Sequence, residues 1–164
     1  MGVEIERKYV VVSDGWRLVV DSGERMRQGY LAVPGTCSVR VRVCGETASL
    51  CVKGARQGDS RSEFEYPVPL EDANEMLSDL CGDRLIDKTR YRYQIDGFTI
   101  EVDEFSGANE GLVLAEVELP WRGVSLPALP DWIGPDVTED DRYYNSHLSR
   151  NSYREWALRS PECS

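Results

Sequence analysis

Polar and apolar residues alternate along most of the chain, from its first residues to about residue 119. Eight segments show this period of two and end at turns rich in Gly, Pro or Asp: residues 3–12, 25–33, 37–44, 48–53, 62–68, 87–95, 98–104 and 113–119. A period of two is typical of β-strands, because successive side chains of a strand point to opposite faces of the sheet. The pattern therefore predicts about eight strands.

Two segments follow a helical period instead. LEDANEMLSDLCG, residues 70–82, places apolar side chains three and four residues apart and ends at Gly82, which suits a C-terminal cap. A second helix is predicted to start near Thr138, as its cap, and to continue through RYYNSHLSR, while SYREWALR predicts a short final helix. We place these C-terminal helices at about 138–159, after a Pro- and Gly-rich connection, RGVSLPALPDWIGPDV.

The polar positions of the strands are charged. They form rows of acids and rows of bases: Glu4, Glu6, Glu63, Glu65, Glu101, Asp103, Glu116 and Glu118, and Lys8, Arg40, Arg42, Lys53, Lys88, Arg90 and Arg92. A solvated sheet face is the ordinary explanation for charged strand residues. Here, however, like charges are neighbours within a row, and all three lysines of the chain lie in the rows. We therefore expect the rows to face an enclosed space.

An eight-stranded antiparallel sheet can close into a barrel whose interior holds side chains or one small ligand. The predicted fold is thus α+β but mostly β: a closed eight-stranded antiparallel barrel with a charged lumen and a few flanking helices, in one domain of residues 1–164. Buried charges are costly unless they are paired or solvated, so we expect a hydrated lumen that contains ions. Carboxylates without His or thiolate partners suit Mg²⁺ or Mn²⁺, and clustered Arg and Lys suit a short chain of phosphates.

Composition narrows the class of protein further. A net charge of −10 argues against nucleic acid or an anionic membrane as a partner. Five cysteines without a CxxC pair, and one histidine, leave neither a zinc motif nor a catalytic triad.

The first residues show no signal-peptide pattern and no apolar run approaches the ~20 residues that a bilayer requires, so we expect a cytoplasmic protein. The apolar outer faces need cover, for which we consider a homodimer.

The order and spacing of the charged motifs resemble those of the triphosphate tunnel metalloenzymes, also called CYTH domains. The motifs are EIERK at 4–8, RQGYL at 27–31, SVRVRV at 38–43, VKG at 52–54, EFEYP at 63–67, KTRYRY at 88–93, EVDEF at 101–105 and AEVEL at 115–119. The resemblance extends to about residue 150. It implies a tunnel that binds triphosphate, or a molecule that bears one, and hydrolyses or cyclises it with a divalent metal.

The resemblance also implies roles by position. Metal ligands would be Glu4, Glu6, Glu116 and Glu118, and the phosphate clamp would be Lys8, Arg40, Arg42, Lys53, Lys88 and Arg90. Glu63, Glu65, Glu101 and Asp103 match the remaining acids of the family, which hold a second metal or orient the attacking water. Lys8 is either part of the clamp or a group that orients the water.

We expect metal-dependent hydrolysis of inorganic triphosphate to pyrophosphate and phosphate, with nucleoside triphosphates as additional substrates. The short chain favours this activity, because it offers no obvious pocket for a base or a thiazolium ring. Class IV adenylyl cyclase and thiamine triphosphatase remain alternatives, since both share the tunnel. A non-catalytic module that binds polyphosphate is a third alternative.

Overall fold

The computed structural model describes residues 2–32, 37–55, 57 and 60–157. Its strands are β1 (Gly2–Val11), β2 (Glu24–Ala32), β3 (Cys37–Cys44), β4 (Thr47–Gly54), β5 (Ser60–Pro67), β6 (Leu85–Ile95), β7 (Phe98–Phe105), β8 (Val113–Glu118) and β9 (Ile133–Asp136). The α-helices are α1 (Leu70–Glu75), α2 (Asn145–Leu148) and α3 (Tyr153–Ala157). A π-helical turn follows α1 at Met76–Leu80, and short 3-10 turns lie at Asp14–Leu18, Gly107–Asn109 and Asp141–Tyr143. The last residue of the predicted strand 25–33 and the last two of the predicted final helix lie outside the described residues.

Eight antiparallel strands close into a barrel, as the alternation predicts. Their order is β5-β4-β3-β2-β6-β7-β8-β1, and β1 also pairs with β5. One half of β1, Gly2–Ile5, pairs with β5, and the residues from Glu6 to Val10 pair with β8. The first strand of the chain therefore completes the barrel between strands from the middle and the end of the β region.

The ninth strand was not predicted. It lies within the Pro- and Gly-rich connection, where Asp136 pairs with Tyr9 and Ile133 pairs with Val11. Because β5 pairs with β1 only as far as Ile5, the far end of that edge of β1 is open to another strand. Tertiary position, rather than alternation, makes this short segment a strand.

The apolar outer wall is covered by the same chain. Ile5, Val102 and Val117 face outward and are buried beneath Trp16 and Trp132, which lie on the Asp14–Leu18 turn and on the connection before β9. This cover reduces the need for a second subunit on that wall, and the predicted homodimer stays a prediction.

The first predicted helix covers another part of the wall. Ala73, Leu77 and Cys81 pack against Val41 of β3. Gly29 of β2 permits this contact, because a Cβ at that position would lie 2.5 Å from Sγ of Cys81. The segment ends at Gly82, as predicted, with a φ of 58° that suits a C-terminal cap.

The predicted cap at Thr138 is wrong. The turn Asp141–Tyr143 is capped by Asp140, whose side chain accepts from the backbone N–H of Arg142 at 3.1 Å. The Thr138 hydroxyl instead accepts from the backbone N–H of Lys8 at 2.9 Å, so it satisfies a donor of the barrel. The helical segment is consequently divided into a 3-10 turn and α2.

One end of the bore is filled with apolar side chains. Tyr30, Phe105 and Leu114 form a buried cluster there with Leu148 of α2, and Trp156 of α3 packs against it. This is the end at which β7 finishes and β8 begins. The C-terminal helices thus cover one end of the barrel, and the charged residues of the bore lie between this apolar cluster and the opposite, open end.

Candidate active site

A cavity of about 630 Å³ occupies the bore. Inward-facing residues of the eight barrel strands form its wall, together with Tyr144 and the start of α2. Eleven of the fourteen predicted site residues border it: Glu6, Lys8, Arg40, Arg42, Lys53, Glu63, Glu65, Arg90, Glu101, Glu116 and Glu118. The charged rows therefore face the lumen, as predicted. Glu4, Lys88 and Asp103 do not border the cavity.

Asp103 of β7 is fully buried beside two bases of β6. Its carboxylate accepts hydrogen bonds from Lys88 and, at 2.7 Å each, from Nε and Nη2 of Arg90. Burial opposes the charge of this carboxylate, but Arg90 and Lys88 outweigh burial and lower the pKa of Asp103. Asp103 is therefore ionised, and both of its oxygens are occupied by bases of the wall.

Lys88 is equally enclosed. Its burial, together with the nearby charge of Arg90, lowers the pKa of its ammonium group to about 8, against the opposing effect of Asp103. Because Lys88 lies behind the cavity surface, the contact with substrate that the family resemblance implies stays a prediction.

Glu4 joins strands that close the barrel. Its oxygens accept from Nζ of Lys53 at 2.8 and 2.9 Å and from Nε of Arg61 at 2.7 Å. Burial opposes the charge of Glu4, but Lys53 and Arg61 outweigh burial and lower the pKa of Glu4 to about 2. Glu4 thus connects β1 with β4 and β5, and it holds two bases that do border the cavity.

Lys8 and Glu116 form an ion pair in the centre of the bore. Nζ of Lys8 donates to Oε1 of Glu116, and Nη2 of Arg90 donates to Oε2 at 2.9 Å. The same ammonium lies 5.0 Å from the ring centroid of Tyr144. Burial opposes the charge of Lys8, but Glu116 and Glu6 outweigh burial and raise its pKa. Lys8 therefore remains a cation, which suits a donor to an anion rather than a base that activates water.

Arg40 differs from the other buried bases. Its side chain lies opposite Tyr30 and Cys51 in the strand register, and the residue is only 7% exposed. Within the described part of the chain its side chain makes no hydrogen bond or ion pair, and its Nε is buried without a partner. Burial opposes its charge, but Tyr30, Cys51, Glu63 and Glu65 outweigh burial and raise its pKa. Arg40 is thus a buried guanidinium that borders the cavity near Glu63 and Glu65 but forms no ion pair with either.

Two acids of β5 each accept from a neutral donor of β4 and also pair with a base. Glu65 accepts from the Ser49 hydroxyl at 2.6 Å and from Arg42 at 2.7 Å. Burial opposes the charge of Glu65, but Ser49 and Arg42 outweigh burial and lower its pKa. Glu63 accepts from the thiol of Cys51 at 3.1 Å, and burial raises the pKa of that thiol to about 11. The thiol therefore stays protonated near neutral pH and remains a donor to Glu63.

The acids toward the open end of the bore repel one another. Burial and the charges of Glu4 and Glu101 raise the pKa of Glu118, whose side chain makes no hydrogen bond or ion pair with any other described residue. No three His, Cys, Asp or Glu residues in the described ranges are arranged to hold a metal ion. Two of the acids there, Glu101 and Glu116, accept hydrogen bonds from Arg90 and Lys8. The donor chemistry nonetheless fits a hard divalent cation, because it consists of carboxylates alone and one of them, Glu118, has no counter-charge.

Some residues of the cavity were not predicted from the sequence. Arg61 is one of them, although it shares a strand face with Glu63 and Glu65 at a period of two and could have been found by that signal. Tyr144, by contrast, lies in an irregular segment, where no periodicity indicates the direction of a side chain.

Comparison with known proteins gives the family. Residues 2–151 match the CYTH domain family. The chain belongs to this family. An inorganic triphosphatase of Acetivibrio thermocellus is 49% identical over 154 residues, which cover 94% of this chain and 97% of the relative. An inorganic triphosphatase of Nitrosomonas europaea is 36% identical over 151 residues, or 89% of this chain and 96% of the relative.

Solved structures agree with the CYTH assignment. The crystal structure of an inorganic triphosphatase matches with a TM-score of 0.63 and 34% identity, covering 88% of this chain and 96% of the other. A protein of Pyrococcus horikoshii matches with a TM-score of 0.58 at 18% identity, over 73% of this chain and 79% of the other, and this likeness concerns the fold alone. Among the described residues of this CYTH domain, no helix combines the length and apolar character needed to span a bilayer.

Proposed function

We propose that this CYTH domain protein hydrolyses inorganic triphosphate to pyrophosphate and phosphate with a divalent cation, Mg²⁺ or Mn²⁺. Two inorganic triphosphatases that are 49% and 36% identical to it over nearly their whole lengths support this activity. The observation that carries the proposal is Arg40, a buried guanidinium on the wall of the cavity whose side chain makes no hydrogen bond or ion pair with any described residue. A buried charge is costly without a partner, and an anion in the bore supplies one.

Binding of the phosphate chain would depend on the bases at the cavity surface. Arg40 has no side-chain partner that competes for its donors, whereas Arg42 and Lys53 each already contact one or more carboxylates and share their remaining donors. Lys8 stays protonated and adds a point charge at the centre. A linear arrangement of several bases suits a chain of phosphates better than a single phosphate.

The cation would be held by carboxylates at the cavity surface: Glu6, Glu101, Glu116 and Glu118. Glu4 and Asp103, which the family resemblance also implies as ligands, would act by holding bases, because neither borders the cavity and both accept from neighbouring bases. When bound, a divalent cation neutralises charge on the phosphate oxygens.

The side chains then perform an in-line hydrolysis. A water molecule attacks the terminal phosphorus, the new P–O bond forms as the anhydride P–O bond breaks, and pyrophosphate leaves. Glu63 and Glu65 are the acids that would orient this water and accept its proton, since both are ionisable, anchored and exposed to the cavity. Arg40 and Lys8 stabilise the charge that moves onto the leaving oxygen. No covalent intermediate is needed.

A panel of substrates and metals tests the proposal. Phosphate release should be fastest from tripolyphosphate, compared with ATP and thiamine triphosphate, when each is assayed with Mg²⁺ and with Mn²⁺. A higher kcat/KM for an organic triphosphate, formation of cyclic AMP from ATP, or binding of tripolyphosphate without phosphate release would each contradict the proposal.

Glu118→Gln provides the matched variant. We expect it to reduce metal-dependent turnover by about 100-fold or more and to shift the metal requirement to higher concentrations. The fold should persist, because Glu118 is an exposed strand-end residue and neutralising it relieves repulsion. Glu110→Gln, at an exposed acid paired with Arg154 away from the bore, should retain full activity. Equal turnover and equal metal dependence in the two variants would remove Glu118 from the metal site.

A further inference from the structure

Tyr144 contacts two bases of the bore although it lies outside the barrel strands. The residue borders the cavity and is only 7% exposed. Nζ of Lys8 lies 5.0 Å from the centroid of its ring, and Cζ of Arg61 lies 6.0 Å from it. A cation at this distance from an aromatic face is attracted to it, and the attraction is stronger where water is excluded. The ring is therefore a second contact for Lys8, in addition to Glu116.

The segment that carries Tyr144 also holds the backbone of Lys8. The N–H of Val137 donates to the carbonyl of Lys8 at 2.8 Å, and the N–H of Lys8 donates to the Thr138 hydroxyl at 2.9 Å. The Tyr144 hydroxyl donates to the carbonyl of Thr138, which fixes the ring relative to these backbone contacts. One segment thus contacts both the backbone and the side chain of Lys8.

The ring restricts the position of the Lys8 ammonium. A lysine carries a point charge on a flexible chain of four carbons, so a single hydrogen bond to Glu116 does not fix its head. A second contact, with the face of Tyr144, reduces the positions that the head can adopt. Lys8 borders the cavity, and a donor that is already in place beside a phosphate oxygen loses less entropy when it acts.

We propose that Tyr144 is a positioning residue for triphosphate hydrolysis, and that its ring holds the ammonium of Lys8 in place. The inference rests on the proposed function, because an effect on the rate requires that Lys8 acts on the triphosphate. The adjacent Tyr143 is the matched control. It does not border the cavity, and its ring packs against Trp156 with centroids 5.3 Å apart.

Two variants of Tyr144 separate its ring from its hydroxyl. Tyr144→Leu removes both, whereas Tyr144→Phe removes only the hydrogen bond to Thr138. We expect kcat/KM for tripolyphosphate to fall about tenfold in Tyr144→Leu, mainly through kcat, and to stay within about twofold of the wild-type value in Tyr144→Phe. The melting temperature should fall in both, because both lose the hydrogen bond. Tyr143→Leu should lower the melting temperature and leave kcat/KM unchanged.

NMR of labelled lysine gives a readout that is independent of turnover. The chain has only three lysines, so ¹³C-lysine gives three sets of side-chain signals, and Lys8→Met assigns that of Lys8. The ring current of Tyr144 should shift the Cε protons of Lys8 upfield in the wild type and in Tyr144→Phe, and this shift should be lost in Tyr144→Leu. Nζ of Lys88 lies 5.6 Å from the ring centroid of Phe105, so the signal of Lys88 is an internal reference that no variant of Tyr144 should move.

The inference is overturned if Tyr144→Leu and Tyr144→Phe reduce kcat/KM equally, if neither reduces it, or if the Lys8 signal is the same in the wild type and Tyr144→Leu. If Tyr144→Leu does not fold, the wild-type spectrum still decides, because a Lys8 signal that is not upfield of the Lys53 signal overturns the inference. Failure of the proposed function has a different signature. The wild type would then hydrolyse no tripolyphosphate, whereas the Lys8 signal would still respond to Tyr144→Leu.

Discussion

Arg90 and Arg40 are two buried arginines of the same bore with opposite surroundings. They are 8% and 7% exposed, and both border the cavity. Arg90 donates to Asp103, Glu101 and Glu116, so its guanidinium is surrounded by carboxylates. Arg40 makes no ion pair with any residue in the described ranges. Exposure alone does not distinguish the two side chains, but their partners do.

This difference separates charges that build the bore from charges that remain for a ligand. On the wall of β6, β7 and β8, three carboxylates pair with Arg90 and hold it in place. Arg40, on the wall of β2, β3 and β4, has no such pair, and under the proposed function its donors would bind the phosphate chain. Breaking a saturated ion pair should therefore reduce stability, whereas removing Arg40 should reduce activity.

Asp103→Asn should have the largest effect on stability. It leaves Lys88 and Arg90 buried without their main counter-charge, and breaking a buried pair by removal of one partner costs about 3–5 kcal/mol. The free energy of unfolding, measured by urea denaturation at pH 7, should fall by that amount.

Asp87→Asn is the matched control for Asp103→Asn. Asp87 pairs with Arg25 at 2.6 Å, but Arg25 is 69% exposed, so we expect a loss of at most about 1 kcal/mol. Similar losses in the two variants would contradict a special role for the buried cluster.

A low pH should weaken the contacts by which Glu4 of β1 holds Lys53 of β4 and Arg61 of β5. Its pKa is about 2 in the folded protein against an ordinary value of 4.5, so the contribution of the carboxylate to stability is complete above pH 4.5 and declines as the pH falls toward 2. The shift corresponds to roughly 3 kcal/mol. The difference in unfolding free energy between the wild type and Glu4→Gln should therefore shrink as the pH falls through this range.

The exposed acid Glu71 of α1 provides the control for this measurement. Glu71→Gln should follow the wild type at every pH. If the difference in unfolding free energy between the wild type and Glu4→Gln is constant from pH 7 to pH 3, ionisation of Glu4 does not stabilise the contacts between β1, β4 and β5.

Arg40→Met should separate activity from stability most clearly. Loss of one preorganised donor to a reacting phosphate costs about 100-fold in kcat/KM, and we expect this loss for tripolyphosphate. The free energy of unfolding should not fall, because an unpaired buried charge is replaced by an apolar chain of similar length. Arg25→Met, at an exposed arginine, should leave kcat/KM unchanged. Unaltered turnover, or a large loss of stability, in Arg40→Met would contradict the comparison with Arg90.

The sequence predicts the barrel and the direction of its charged side chains well, because both follow from a period of two. The same period could have identified Arg61, which shares a strand face with Glu63 and Glu65. A period of two shows which face of the sheet a side chain is on, but it does not show whether that side chain reaches the cavity surface. The sequence therefore groups Asp103 with Glu118, although the first lies behind the wall and the second faces the cavity.

Features that depend on distant partners were not predicted. β9 is a strand because the edge of β1 beside Tyr9 and Val11 is open, and Thr138 is placed by its contact with the backbone of Lys8. In both cases the decisive contact joins residues more than a hundred positions apart in the sequence.

The pairing of β1 also has a consequence for how the protein is made. This strand is the first of the barrel strands in the sequence, yet its partners on either side, β5 and β8, are synthesised much later. The row of charges that begins at Glu4 must therefore remain in water until the last barrel strand is available. Contacts so distant in sequence favour slow, concerted assembly over stepwise growth from the N-terminus. We therefore expect that a chain cut before β8 does not form a stable half-barrel, because β1 then lacks one of its two neighbours.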